Sequence, residues 1–153
     1  MRRRGVTLIE LVVVMAIIAI AAAFVAPNIG AWLPRYRVGS ATREVVSLLR
    51  TAQMKAISSN IPFGVAFDND GCILHHATSG GFPADTEQVK LPTGVMFDNN
   101  TFPVNGTLGK HYAEFNTNST SSNGGVTLKS SNAKIGPKRI TLTQSTGRAH
   151  VSN

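Results

Sequence analysis

Only one cysteine, Cys72, occurs in the 153 residues, so no internal disulfide can form, and Cys-rich zinc modules and disulfide scaffolds are excluded. Acidic residues are scarce as well: 8 Asp plus Glu stand against 15 Lys plus Arg, a formal net charge of +7. The chain has no Gly-rich phosphate loop, nucleophile elbow, paired-carboxylate motif or internal repeat. His75 and His76 are adjacent in a strand pattern, which sends them to opposite faces and gives poor geometry for a shared metal. Asp68 and Asp70 are spaced like calcium ligands, but an EF-hand loop starting at Asp68 needs a Glu where Ser79 stands. No enzyme, cofactor or metal site is therefore expected, and Cys72, within a strand pattern, reads as a small core residue. The apolar fraction of 42% supplies a real core and excludes wholesale disorder. At this length one domain is the default.

The apolar residues are concentrated at one end. Leu11 to Ala26 are sixteen consecutive apolar residues, and Val6 to Ala26 form a stretch of 21 broken only by Thr7 and Glu10. A bilayer-spanning helix needs ~20 residues at 1.5 Å each. Arg2, Arg3 and Arg4 precede the run, and the positive-inside rule keeps that end in the cytoplasm while everything after Ala26 is exported. Two competing readings are a secretory signal peptide cleaved near Ala21-Ala22-Ala23 and a plain membrane anchor. Neither accounts for Glu10, because a carboxylate within the span costs roughly 2.5 to 3.5 kcal/mol on insertion scales.

Gly5-Val6-Thr7-Leu8-Ile9-Glu10, behind a basic leader and ahead of a long apolar helix, resembles the processing site of type IV prepilins and type II secretion pseudopilins. The resemblance implies a prepilin peptidase that cuts after Gly5 and methylates the new amino terminus at Val6, where Phe is usual. It also implies that Glu10 pairs with the amine of a neighbouring subunit. Two opposite charges buried on different chains are costly alone and tolerable together, so such a pair sets the stagger between subunits. The expected organisation is a leader at 1–5, a transmembrane and assembly helix at 6–33, and an exported α+β domain at 34–153. The expected location is the inner membrane, single-pass with a cytoplasmic amino terminus, with the exported domain periplasmic or in the fibre.

Pro27, Gly30 and Pro34 follow the apolar run and predict a bend or local melt. From Arg35 to about Ser59, Val38, Ala41, Val45, Leu48, Leu49, Ala52 and Ala56 are spaced mostly by three or four, the mark of an amphipathic helix that buries one stripe. The period then drops to two. Phe63, Val65 and Phe67 alternate, Asp68-Asn69-Asp70-Gly71 supplies a turn, and Cys72-Ile73-Leu74 return, which makes a β-hairpin. Further strands are expected at 88–91, 95–98, 112–116, 126–129, 139–143 and 148–151, and the polar loop 116–125 is expected to be mobile. The fold class is α+β: a long N-terminal α-helix, membrane-spanning in its first half, packed on antiparallel β-sheet.

The order of parts resembles the GspH/FimT group of minor pilins and pseudopilins: the processing motif, the helix ending in Leu48-Leu49-Arg50-Thr51-Ala52-Gln53-Met54-Lys55-Ala56-Ile57, a hairpin, a polar middle and a last strand pair. That resemblance implies a subunit of a type IV pilus or type II secretion pseudopilus, with other pilin-like subunits, prepilin peptidase and the inner membrane as partners. DNA is the alternative partner. From Pro34 to Glu114 seven basic and seven acidic residues balance, whereas Phe115 to Asn153 hold five basic residues and no acidic one, an asymmetry suited to a polyanion. Gly147-Arg148 resembles a carboxy-terminal Gly-Arg motif of DNA-uptake members, with His150 at its second basic position. The candidate DNA-binding residues are Lys138, Arg139, Arg148 and His150. On charge alone, a solvated basic face is the competing reading.

Overall fold

The computed structural model describes residues 6–153, apart from the side chains of 24–29, 31 and 86. Gly5 and the three leader arginines lie outside the described residues. A single α-helix, α1 (Leu8–Ser59), opens the chain. Thr7 caps it: its hydroxyl accepts the Glu10 backbone N–H at 3.3 Å, in the T-x-x-E spacing of a capping box. At the other end Asn60 takes the left-handed conformation, φ 53, and Pro62 follows, which together stop the helix. Helix is maintained through Pro27, Gly30 and Pro34, so the expected melt is not present. Each proline removes one donor, and the turns on either side keep theirs.

The chain divides into two compact units, Met1–Leu33 and Pro34–Asn153, and α1 contributes to both. In the first unit the large apolar side chains from Val6 to Ile20 are exposed. Among the described residues no helix is long and apolar enough to cross a membrane. The expected span, Val6 to Ala26, includes residues 24–26, whose side chains are outside the described set. What remains, from Leu8 to Ala23, is shorter than the ~20 residues a bilayer needs.

The second unit holds two antiparallel sheets. The first orders its strands β3-β2-β1-β6-β5, where β1 is Phe63–Asp68, β2 Gly71–His76, β3 Ala84–Lys90, β5 Val104–Asn105 and β6 Lys110–Phe115. The second orders them β4-β7-β8-β9, with β4 Val95–Asp98, β7 Gly124–Ser130, β8 Lys138–Thr143 and β9 Arg148–Ser152. The first hairpin has the expected register, Asp68 opposite Gly71 and Phe67 opposite Cys72. Gly71 has no alternative: a Cβ there would lie 2.1 Å from the Val89 carbonyl oxygen of β3.

One core joins the helix to both sheets. The α1 stripe of Val38, Ala41, Val45, Leu49, Ala52 and Ala56 clusters with Val65, Cys72 and Phe115 of the first sheet and with Val126, Leu128 and Ile140 of the second. Polar ties fix the helix further. Arg37 donates to the Thr93 carbonyl at 3.1 Å, and Gln53 to the Thr146 carbonyl at 2.8 Å. Lys55 bridges Asp85 and Glu87 of β3 at 2.9 and 2.8 Å, and hydrogen bonds to Glu87 and then Asp85 raise its pKa. Loop 116–123 is more ordered than its composition predicts. Phe115 bridges Ser121, Asn116 N–H donates to the Thr120 carbonyl at 2.8 Å and Ser121 N–H to that of Gln144 at 2.9 Å.

Candidate functional site

Alternation along β8 and β9 decides where the basic residues go. Ile140 and Leu142 are buried, so Lys138, of the same parity, lies on the helix-facing side of β8, while Arg139 and Thr141 face outward. On β9, Ala149 packs against the core, which turns Arg148 and His150 outward. Arg139 is opposite Ser152, Thr141 opposite His150, and Thr143 opposite Arg148. The structure thus brings together three of the four expected residues and removes the fourth: Lys138 belongs to the other face. Its neighbour in sequence, Arg139, is its opposite in direction.

Sequence reading did not pick out Lys129 as a site residue. Leu128 and Ser130 are buried, so Lys129 of β7 faces outward, and with Thr127 opposite Arg139 it is the diagonal neighbour of Arg139. Lys129, Arg139, His150 and Arg148 therefore form a diagonal line across three strands, with steps of roughly 7 Å. The period of two in Val126-Thr127-Leu128-Lys129 is the signal that would have found it. Folding also returns a carboxylate to this face. Asp98 is opposite Thr127 and so lies diagonal to Lys129, although it precedes the acid-free segment in the sequence.

At the amino terminus Val6 is exposed and Glu10 lies exposed in the first turn of α1. A carboxylate there faces the positive end of the helix dipole, and among the described residues it makes no ion pair. Cys72 is buried, and desolvation pushes its thiol up to about 12. The buried Tyr112 phenol is raised by the same cause, and the Lys110 ammonium beside Asp68 holds that carboxyl low. Among the described residues no group of three or more His, Cys, Asp or Glu could hold a metal ion. His75 instead hydrogen-bonds through Nδ1 to the Phe82 carbonyl at 2.8 Å.

Two family models match the chain: a prokaryotic N-terminal methylation motif over residues 1–26 and type II transport protein GspH over residues 41–147. No curated protein matches it significantly in sequence. Among solved structures it is similar to the type IV minor pilin FimU of Pseudomonas aeruginosa, with 15% identity and a TM-score of 0.61, over 78% of this chain and 90% of that one. It is also similar to the minor pseudopilin EpsH from the type 2 secretion system of Vibrio cholerae, with 17% identity and a TM-score of 0.57, over 74% and 93%. At these identities the likeness is one of fold.

Proposed function

The chain belongs to the GspH family of type II transport proteins, and from that premise we propose that it is a minor pilin-like subunit anchored in the inner membrane through its apolar helix, with the domain from Pro34 onward exported. In this reading the precursor is cut after Gly5, methylated at Val6, and drawn into a pilus or pseudopilus by pairing of Glu10 with the amino terminus of a neighbouring subunit. The observation that carries the reading is the surface of the first unit. Its large apolar side chains from Val6 to Ile20 are about half to four-fifths exposed, Val14 at 48% and Leu8 at 80%, and burial is worth roughly 25 cal/mol per Å². Lipid tails before assembly and neighbouring helices after it would supply that burial. Replacing Glu10 with Ala tests the pairing: membrane insertion and the exported fold should persist while the protein disappears from the co-purified fibre. Equal incorporation of mutant and wild type would remove the assembly role from Glu10.

A second reading, DNA binding, is favoured by one observation: Lys129, Arg139, His150 and Arg148 share the outer face of the second sheet. Phosphates spaced along a backbone would meet these basic side chains in sequence, giving weak, sequence-independent and salt-sensitive affinity. The Asp98 carboxylate limits the face at its β4 end.

A further inference from the structure

Among the described residues the second sheet ends at β9, with no strand on its far side, and α1 runs beside that edge. At the turn before β9, Gln53 of α1 holds the Thr146 carbonyl at 2.8 Å. At the other end of β9, Arg35 of α1 and Asn153 line one pocket of about 510 Å³. A second pocket of about 480 Å³ lies along the same helix, with Thr42 and Val46 of α1 and Val151 of β9 in its lining. Lys138, the residue that the outer face does not use, lines both and joins them into one groove.

The charged side chains that line the groove, Arg35, Arg43, Arg50, Lys134 and Lys138, are all basic, and no Asp or Glu is among them. Among the described residues none of the five makes an ion pair. The three arginines follow one another along α1 at seven or eight residues, roughly 11 to 12 Å per step. Gly39 leaves room beneath the Arg43 guanidinium, whose Nη1 would lie 3.6 Å from a Cβ built on the glycine. Beside this charge is an apolar side chain: Val151 is 40% exposed although Ile140, opposite it on β8, is buried.

We propose that this groove takes an extended acidic segment of another polypeptide, which pairs with β9 as a fifth strand and lays its acidic side chains against Arg43, Arg50 and Lys138. Every second residue of β9 turns its backbone N–H and C=O away from β8, and an open row of such groups is a template for strand addition. The incoming strand would cover the exposed flank of α1 at Arg43, Ser47 and Arg50. A nucleic-acid strand could meet the cations but would leave that row unpaired, so an anionic polypeptide satisfies more of what the groove presents. The inference is independent of the DNA reading, which uses the opposite face of the same strand.

The test uses the full chain in non-ionic detergent micelles and a fluorescent ten-residue peptide alternating Glu and Val. Fluorescence anisotropy should report binding at low salt that weakens as salt rises, with a Lys-Val peptide not bound. Methylating the backbone nitrogens of all the Val residues, or of all the Glu residues, should weaken binding at least tenfold in one case only, because alternate amides point to opposite edges of a strand. Combining R43Q, R50Q and K138Q should weaken it at least tenfold, and R139Q with R148Q should leave it unchanged. No binding of the Glu-Val peptide, equal tolerance of both methylation patterns, or complete displacement by a single-stranded oligonucleotide of equal charge would each overturn the proposal.

Discussion

Replacing Gly147 with Ala is a direct test of how the last hairpin is seated on α1. Gly147 has φ +61, and an added Cβ would lie 2.7 Å from Gln53 Nε2 and 2.8 Å from the Ser119 carbonyl oxygen. The left-handed conformation alone costs an L-residue about 1 to 2 kcal/mol. Gln53 can swing away, but it then gives up its 2.8 Å hydrogen bond to the Thr146 carbonyl, about 1 kcal/mol for a neutral pair. Ser119 is backbone, and the Asn116 to Thr120 hydrogen bond holds its loop, so that contact adds strain that a rotamer change cannot relieve. The sum is about 3 kcal/mol, which for a unit of this size lowers Tm by about 10 °C. Thermal unfolding of the chain in detergent, followed by the β-sheet circular dichroism signal, measures it. A double-mutant cycle with Gln53→Ala should recover about 1 kcal/mol of coupling and leave the Ser119 part. A loss below about 0.5 kcal/mol would show that the hairpin does not sit against α1 as described.

A strain with a prepilin peptidase should convert the 153-residue precursor into a form beginning at Val6, five residues shorter; intact mass of the membrane fraction decides it, and a terminus between Ala22 and Phe24 would support the secreted-protein reading. Cys72 should resist iodoacetamide at pH 8 in the folded chain and react once in urea, because it is buried and its thiol is raised from 9.0 to about 12. The unfolded thiol ionises first, so stability is intact below pH 9 and is lost between pH 9 and 12; at pH 10.5 the loss is about 2 kcal/mol, and Cys72→Ala should flatten that fall. If DNA binds the outer face, R139Q with R148Q should lower the slope of log affinity against log salt by about 2 while K138Q changes it little; absence of any retardation of DNA by the full chain at low salt would remove that reading.

Most of the second unit could be read in advance because its signals are local. The stripe of Val38, Ala41, Val45 and Ala52 has a helical period, and the Asp68 to Gly71 turn lies between two alternating runs, so helix and hairpin follow from spacing alone. β5 did not show itself: Val104 and Asn105 are two residues, too few to display a period. β3 begins at Ala84, earlier than its apolar residues suggest, since Asp85 and Glu87 are held there by Lys55 from a distant helix. Loop 116–123 looks unstructured by composition and is fixed by partners at Phe115 and Gln144. The same limit applies to the basic site. Lys138 and Arg139 are neighbours in a charge count, but a strand sends them to opposite surfaces, and Asp98 returns to a face that the linear count had left free of acid.

Two separable roles can be assigned to Glu10, and the choice of substitution distinguishes them. It is the N3 residue of α1, with its backbone N–H capped by Thr7 at 3.3 Å, and an acidic side chain in the first turn favours the helix dipole by about 0.3 to 1 kcal/mol. In the assembly reading its charge also meets the amine of a neighbouring subunit. Glu10→Ala removes both contributions. Glu10→Gln keeps the capping-box spacing, because Gln is the accepted alternative at N3, and removes only the charge. Neither should unfold a helix of 52 residues, and both should ease insertion of the apolar run. If Glu10 acts through charge, Gln is as defective as Ala in fibre incorporation, while Asp, shorter by one methylene, restores part of it. If Glu10 acts by starting the helix, Gln is incorporated like wild type and only Ala is lost. Co-purification of the three variants with the fibre, scored against the same amount of membrane-inserted subunit, separates the two, and normal incorporation of the Gln variant would end the ion-pair assignment.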